Sequence, residues 1–357
     1  MEFKEGEKYC GLGLMSGSSL DGLDVVEVCF ELVESKWNFE ILQSQTIPLP
    51  DLLKSRLRKS PDLSSEELIL LDVDYGKWIA KQLNKMTFNA QHPPQFIALH
   101  GHTVFHEPKK GYSTQIGSGH HLAALTGITA ITDFRQKNIA LGGQGAPLVP
   151  FGDKYLFSGY DAYLNLGGIC NASVIKEDKI LAWDISACNQ VFNHIAMQLG
   201  KAFDKDGVIA ISGELKEDLL LDLEDLLYYK EKAPKSLSNQ WVKRYFLPIV
   251  DRSKHSLADK MHTAMEHIAM RICADLEEQK VEKVLVSGGG VYNNALWQYL
   301  NANKKIKFFK PSDQIIKYKE ALIFAFLGLY KLYNKDNILS SYSGAKQNCS
   351  GGVIFLV

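Results

Sequence analysis

The run Gly13-Leu14-Met15-Ser16-Gly17-Ser18-Ser19-Leu20-Asp21-Gly22-Leu23-Asp24 sits between two apolar stretches near the start of the chain. Tyr9 to Met15 is short, apolar and glycine-spaced and reads as a buried strand, and Leu23 to Val33, rich in Val, Leu and Phe, reads as a second. The glycines, hydroxyls and aspartate between them suit a tight turn with positive φ values. Such a turn exposes backbone N–H groups and small hydroxyls, and where no Cβ intervenes a polyphosphate can approach closely. An ordinary hairpin has the same residues, so the rest of the chain must decide.

The 357 residues, 46% of them hydrophobic, can bury a large core and predict two domains. A formal charge of −1 offers no basic excess for nucleic acid or an anionic membrane. The N-terminus lacks the apolar core of a signal peptide, and the apolar run Ala321 to Tyr330 is far shorter than a membrane span, so a cytoplasmic protein is expected. The six cysteines are scattered without a Cys-x-x-Cys pair, which predicts reduced, buried thiols.

Trp37 to Ile47 extends the hairpin into a meander, and Ser64-Ser65-Glu66-Glu67 opens a helix with a capping residue and early acids. A short strand, Gln95 to Leu99, ends on His100-Gly101-His102-Thr103, with His106 nearby; without a carboxylate at ligand spacing these histidines read as lining for a polar cleft, and no metal site is expected from them. Thr132-Asp133-Phe134-Arg135 follows a strand, where charged residues either face a crevice or form a surface pair. Gly142-Gly143-Gln144-Gly145-Ala146-Pro147-Leu148-Val149-Pro150 is a loop, and the crossing between domains is expected here. The opening pattern then returns: strands Asp161 to Leu166 and Ile169 to Ile175 flank Gly167-Gly168, and a third, Lys179 to Trp183, ends on Asp184. Val281 to Val286 runs into Ser287-Gly288-Gly289-Gly290 and a helix, a nucleotide-binding shape without the full Gly-x-Gly-x-x-Gly spacing.

Three glycine stations in this order resemble the ATPase fold of actin, Hsp70 and sugar kinases: Gly17 to Asp24, Asn165-Leu166-Gly167-Gly168 and Ser287 to Gly290. Within it the chain closely resembles the anhydro-N-acetylmuramic acid kinases, through these stations, His100 to Val104, Asp133-Phe134-Arg135, the Gly142 to Pro150 run, Asn165 to Asn171 and Glu320-Ala321. The resemblance implies an α/β, two-domain actin-like ATPase (ribonuclease H-like) fold with a central cleft. Residues 1–140 would form one domain, with about 317–357 packed back on it, and 141–316 the other.

It further implies an ATP- and Mg²⁺-dependent enzyme of cell-wall recycling that opens 1,6-anhydro-N-acetylmuramic acid with water and phosphorylates O6. Another sugar kinase of the same fold, or a nucleotide-binding homologue without activity, is the alternative. The implied base is Asp184; the alternative for the bare residue is a cap of the following helix, alone or together with that role. Nucleotide contacts would come from Gly17, Ser18, Ser19, Leu20, Asp21, Gly22, Leu23, Asp24, Asn165, Gly167, Gly168, Gly288, Gly289 and Gly290, and sugar contacts from His102, Asp133, Arg135 and Glu320. The resemblance also implies a homodimer. The chain departs from the family pattern in two places: Asp184-Ile185-Ser186-Ala187-Cys188-Asn189 stands where Asp-Thr-Gly-Pro-Gly-Asn is usual, and His102 where glutamine is usual.

Overall fold

The computed structural model describes residues 2–17, 20–177, 179–233 and 235–357. The chain divides into two compact units, one running to Ser158 and resuming at Tyr318–Val357, the other Gly159–Lys317. The loop expected to carry the crossing lies inside the first unit and leads into a helix, Val149–Leu156. Buried Asn138 holds that loop: its Oδ1 accepts the Gly145 amide at 2.8 Å, and its Nδ2 donates to Ser343 Oγ at 2.9 Å.

The strands are β1 (Lys8–Met15), β2 (Leu23–Val33), β3 (Lys36–Ile47), β4 (Phe96–Leu99), β5 (His102–Glu107), β6 (Tyr112–Ile116), β7 (Thr129–Thr132), β8 (Ala162–Leu166), β9 (Ile169–Lys176), β10 (Lys179–Ala187), β11 (Lys283–Ser287), β12 (Lys307–Phe309) and β13 (Val353–Phe355). The first unit orders its main sheet β13-β7-β4-β1-β2-β3, and the second orders its sheet β10-β9-β8-β11-β12. In each, an antiparallel three-strand meander is followed by two strands parallel to its first. That repeated order is the ribonuclease H-like arrangement of the actin-like ATPases, and the fold is the α/β one expected.

Local chemistry explains most elements. Helix Ser65–Leu83 starts on a full capping box, Ser64 with Glu67. Helix Asp313–Leu332 turns its small residues onto the first sheet: a Cβ on Gly13 would strike the Ala321 carbonyl, and one on Gly328 would come 2.5 Å from Ala98 Cβ. The apolar faces close over Leu12, Leu14, Val25, Tyr75, Ile97 and Leu99 in the first unit. Leu164, Ile185, Ile195, Met265, Ile268 and Val286 do the same in the second. Among the described residues no helix is long and apolar enough to cross a membrane.

One expectation is corrected. Cys10 and Cys29 are joined by a disulfide rather than reduced, because β1 and β2 place them directly opposite each other. Cys170, Cys188, Cys273 and Cys349 are free and buried. The β5–β6 hairpin and the C-terminal strand β13 had no distinct signal in the sequence reading; β13 pairs antiparallel with β7.

Candidate active site

In the second unit the two glycine turns are packed against one another. Gly288 has φ +85°, and a Cβ there would lie 2.5 Å from Asn165 Oδ1 and 2.9 Å from the Leu166 backbone. Gly290 is equally confined, its Cβ position 2.7 Å from Leu166 Cβ. Gly289 is different: the nearest group to its Cβ position is Asn189 Nδ2, at 4.0 Å. Two glycines are thus required by packing, while the third leaves open space beside bare backbone, which a phosphate or nucleoside can approach.

The second hairpin also caps the next helix, Asn189–Gln198. The Gly168 carbonyl accepts the Cys188 amide at 2.9 Å and the Gln190 amide at 3.2 Å, and the Gly167 carbonyl accepts the Asn189 amide at 3.1 Å. Asn189 Nδ2 donates to the Leu166 carbonyl at 2.9 Å. Asn165, Gly167, Gly168, Gly288, Gly289 and Gly290 therefore lie together in the second unit.

Asp184 lies within β10, and the cap position of the following helix is Cys188, which removes the capping alternative. The ladder with β9 shifts register between Asp184 and Ser186, so Ile185 bulges into the core. Segment 235–237 takes over the hold on Asp184: its amide donates to the Lys235 carbonyl at 3.0 Å, and its Oδ2 accepts the Leu237 amide at 2.7 Å. Tyr228 Oη donates to the Asp184 carbonyl at 2.6 Å. Burial pushes the carboxyl above its ordinary pKa, against the Leu237 hydrogen bond. Ser186, also buried, is tied to Tyr229 Oη at 2.7 Å.

The first unit holds a second charged group. Arg135 donates from Nη1 to the Gly145 carbonyl at 2.6 Å and from Nη2 to His100 Nε2 at 2.8 Å. Burial lowers the His100 pKa far below the usual imidazole range, so a neutral ring accepts at Nε2. Arg135 itself is pushed down to about 10 by desolvation, with Glu320 opposing, and stays cationic at neutral pH. Glu320 is open to solvent yet ringed by protein mass; that desolvation raises its carboxyl pKa, against the pull of Lys319 and Arg135. Lys319 is buried and paired with Asp153 at 3.0 Å.

Asp133, at φ +56° just past β7, accepts the Gln136 amide at 3.4 Å, and burial raises its carboxyl. His102 turns inward: buried, it donates from Nε2 to the Leu57 carbonyl at 3.2 Å. In the first hairpin Asp24 accepts from Thr46 Oγ1 at 2.6 Å, and its carboxyl is raised by burial and then by Asp21. Leu20 closes the turn, its amide 3.1 Å from the Gly17 carbonyl, and a Cβ on Gly22 would lie 2.5 Å from Thr46 Cγ2. Leu23 opens β2 in the core. Ser18 and Ser19 lie outside the described residues.

Residues 8–357 match the family profile "Anhydro-N-acetylmuramic acid kinase". A protein of that name from Mannheimia succiniciproducens is 32% identical over 371 residues, covering 96% of this chain and 98% of the relative. Those from Actinobacillus pleuropneumoniae and Pseudomonas syringae pv. syringae are 33% and 35% identical, with the same coverage. The chain belongs to the anhydro-N-acetylmuramic acid kinase family.

Within this family's pattern the altered run Ile185 to Cys188 acquires a physical account. All four residues are fully buried where glycines and a proline are usual; Tyr229 ties the run at Ser186, and Tyr228 ties the Asp184 carbonyl just before it. Lys235, Leu237, Tyr228 and Lys319 were not singled out in the sequence, and only the positions of their polar neighbours reveal them; His100 was visible in the run His100 to Val104, but not as the partner of Arg135.

Proposed function

We propose that this chain is an ATP-dependent anhydro-N-acetylmuramic acid kinase acting in cytoplasmic cell-wall recycling, with Asp184 as general base. The observation that carries the reading is the state of that carboxylate: half-buried, raised in pKa, and held at Oδ2 by the Leu237 amide. Such a group is oriented to take a proton from water.

Water attacks C1 of the bridged sugar as Asp184 accepts its proton. The C1–O6 bond breaks, and O6 takes the γ-phosphoryl group, giving N-acetylmuramic acid 6-phosphate and ADP. Inverting glycoside hydrolysis normally pairs a base with a separate acid for the leaving oxygen. Here phosphoryl capture of O6 makes that acid dispensable.

Backbone amides of the Gly17 to Asp24 turn and of Gly167-Gly168 are assigned to the phosphates, and the open space beside Gly289 to the nucleoside side. Mg²⁺ bound with the nucleotide supplies charge neutralisation on the phosphoryl oxygens. Magnesium prefers to retain waters, so Asp21 or Asp24 of the first hairpin would hold it largely through its water shell. Arg135 and Glu320, with Asp133, are assigned to the sugar, Arg135 being oriented by His100 and Gly145. His102 is assigned to the sugar pocket beside them, its Nε2 anchored on the Leu57 carbonyl.

The test is ADP release dependent on the anhydro sugar, with mass spectrometry of the product formed in labelled water. Label at C1 supports the reading. ADP release with N-acetylglucosamine, which lacks the anhydro bridge, but not with the anhydro sugar would replace it with simple hydroxyl phosphorylation.

A further inference from the structure

Lys235 is an unusual residue for its place. It belongs to no helix or strand, yet its side chain is 4% exposed. Lysine is almost never buried so completely unless it is paired. Its Nζ lies 3.7 Å from Asp275 Oδ2, 3.4 Å from the Tyr228 carbonyl and 4.7 Å from the centre of the Tyr228 ring. Asp275, on helix Leu257–Glu278, is held in turn by Trp183 Nε1 at 2.9 Å and Arg271 Nη2 at 3.1 Å.

This buried cation sits on the segment that grips Asp184. The β9–β10 ladder loses register at Asp184, so the sheet alone does not orient it. Instead the Lys235 carbonyl takes its amide, the Leu237 amide takes Oδ2, and Tyr228 takes its carbonyl. Two of those three holds come from segment 235–237, and the third from the residue under the Lys235 ammonium. Trp183, the neighbour of Asp184, is pinned by the same Asp275 carboxylate.

We propose that Lys235 is a positioning residue for Asp184: pinned on Asp275 and Tyr228, it fixes segment 235–237 so that the Leu237 amide keeps its bond to the carboxylate. The inference rests on the reading of Asp184 as the base. Lys235 touches no reacting atom. It acts through the backbone it anchors, and its loss would free the carboxylate to turn and to protonate more readily.

Tyr228, and Cys170 from β9, interact electrostatically with Asp184; Tyr229, Glu231 and Asp275 act in turn on Tyr228, and Lys235 and Arg271 pair with Asp275. Burial holds Tyr228 and Cys170 protonated well above neutral pH, so neither sets an acid limb.

The experiment measures kcat and KM of the full chain for the anhydro sugar and for ATP across pH, for the parent, Lys235→Met, Lys235→Arg and Asp184→Asn. In Lys235→Met, kcat at neutral pH is expected to fall about ten- to a hundredfold, as for a misplaced catalytic group. Its acid limb moves to higher pH, KM for ATP stays put, and Lys235→Arg recovers part of the loss. Asp275→Asn, which keeps a side-chain acceptor for Trp183, should shift the limb in the same direction and serves if Lys235→Met does not fold. An unmoved acid limb in these variants overturns the proposal, whether kcat is unchanged or falls together with ATP affinity and melting temperature. Asp184→Asn separates the two readings. If it still turns over, the base assignment fails; if it is inactive while the lysine variants keep the parent profile, only the role of Lys235 fails.

Discussion

Asp184→Asn is the perturbation that bears most directly on the chemistry. Asparagine has nearly the same shape, and its side-chain oxygen can still accept the Leu237 amide that now reaches Oδ2 at 2.7 Å. The Tyr228 and Lys235 contacts to the Asp184 backbone do not depend on the side chain. What disappears is the proton acceptor. General-base assistance is typically ~10²–10⁴-fold, or about 2.7–5.4 kcal/mol of barrier at 1.36 kcal/mol per decade. The coupled ADP assay with anhydro sugar should register a fall in kcat of that size, with KM for ATP little changed.

Stability should move the other way. Burial raises the Asp184 pKa in the folded chain, so the native state binds the proton more tightly than the unfolded one. The stability this contributes is complete below the unfolded pKa and is lost as pH rises through the folded pKa. A neutral asparagine escapes that loss, so the variant should melt at or above the parent temperature at neutral pH. A kcat within about tenfold of the parent, or inactivity accompanied by a lower melting temperature, would refute the reasoning. The parent's acid limb should also lie above the ordinary aspartate range, because activity requires the raised carboxyl to be ionised.

The glycines of the third station should separate packing from binding. Gly288→Ala forces a Cβ to within 2.5 Å of Asn165 Oδ1 at φ +85° and should destabilise by about 1–3 kcal/mol, read by thermal melting. Gly289→Ala meets nothing closer than 4.0 Å, so its melting temperature should hold while KM for ATP rises. Lys319→Met removes a cation paired with Asp153 at 3.0 Å in the core of the first unit, a change that typically costs about 3–5 kcal/mol, measurable in urea. Arg135→Lys cannot reproduce the fork that reaches both Gly145 and His100, and KM for the sugar should rise about tenfold with little change in KM for ATP.

Much of this protein could be read from local pattern. The short apolar runs of β1, β2 and β3, the capping box at Ser64, and the glycine-rich turns between strands are properties of a few neighbouring residues. The same local character made the three glycine stations visible as candidates, while Asp184 was marked as the base only through the resemblance to a known family. What tertiary structure alone decided involves partners far apart in sequence. β13 joins the first sheet from the end of the chain, Cys10 meets Cys29 only through the β1–β2 register, and His102 Nε2 bonds the Leu57 carbonyl. Lys235 becomes part of the Asp184 support because Asp275, on a distant helix, is folded against it. Hydrophobic pattern and turn chemistry act between neighbours along the chain, whereas burial of a charge, and the pKa and orientation that follow, depend on which distant groups the packed fold puts beside it.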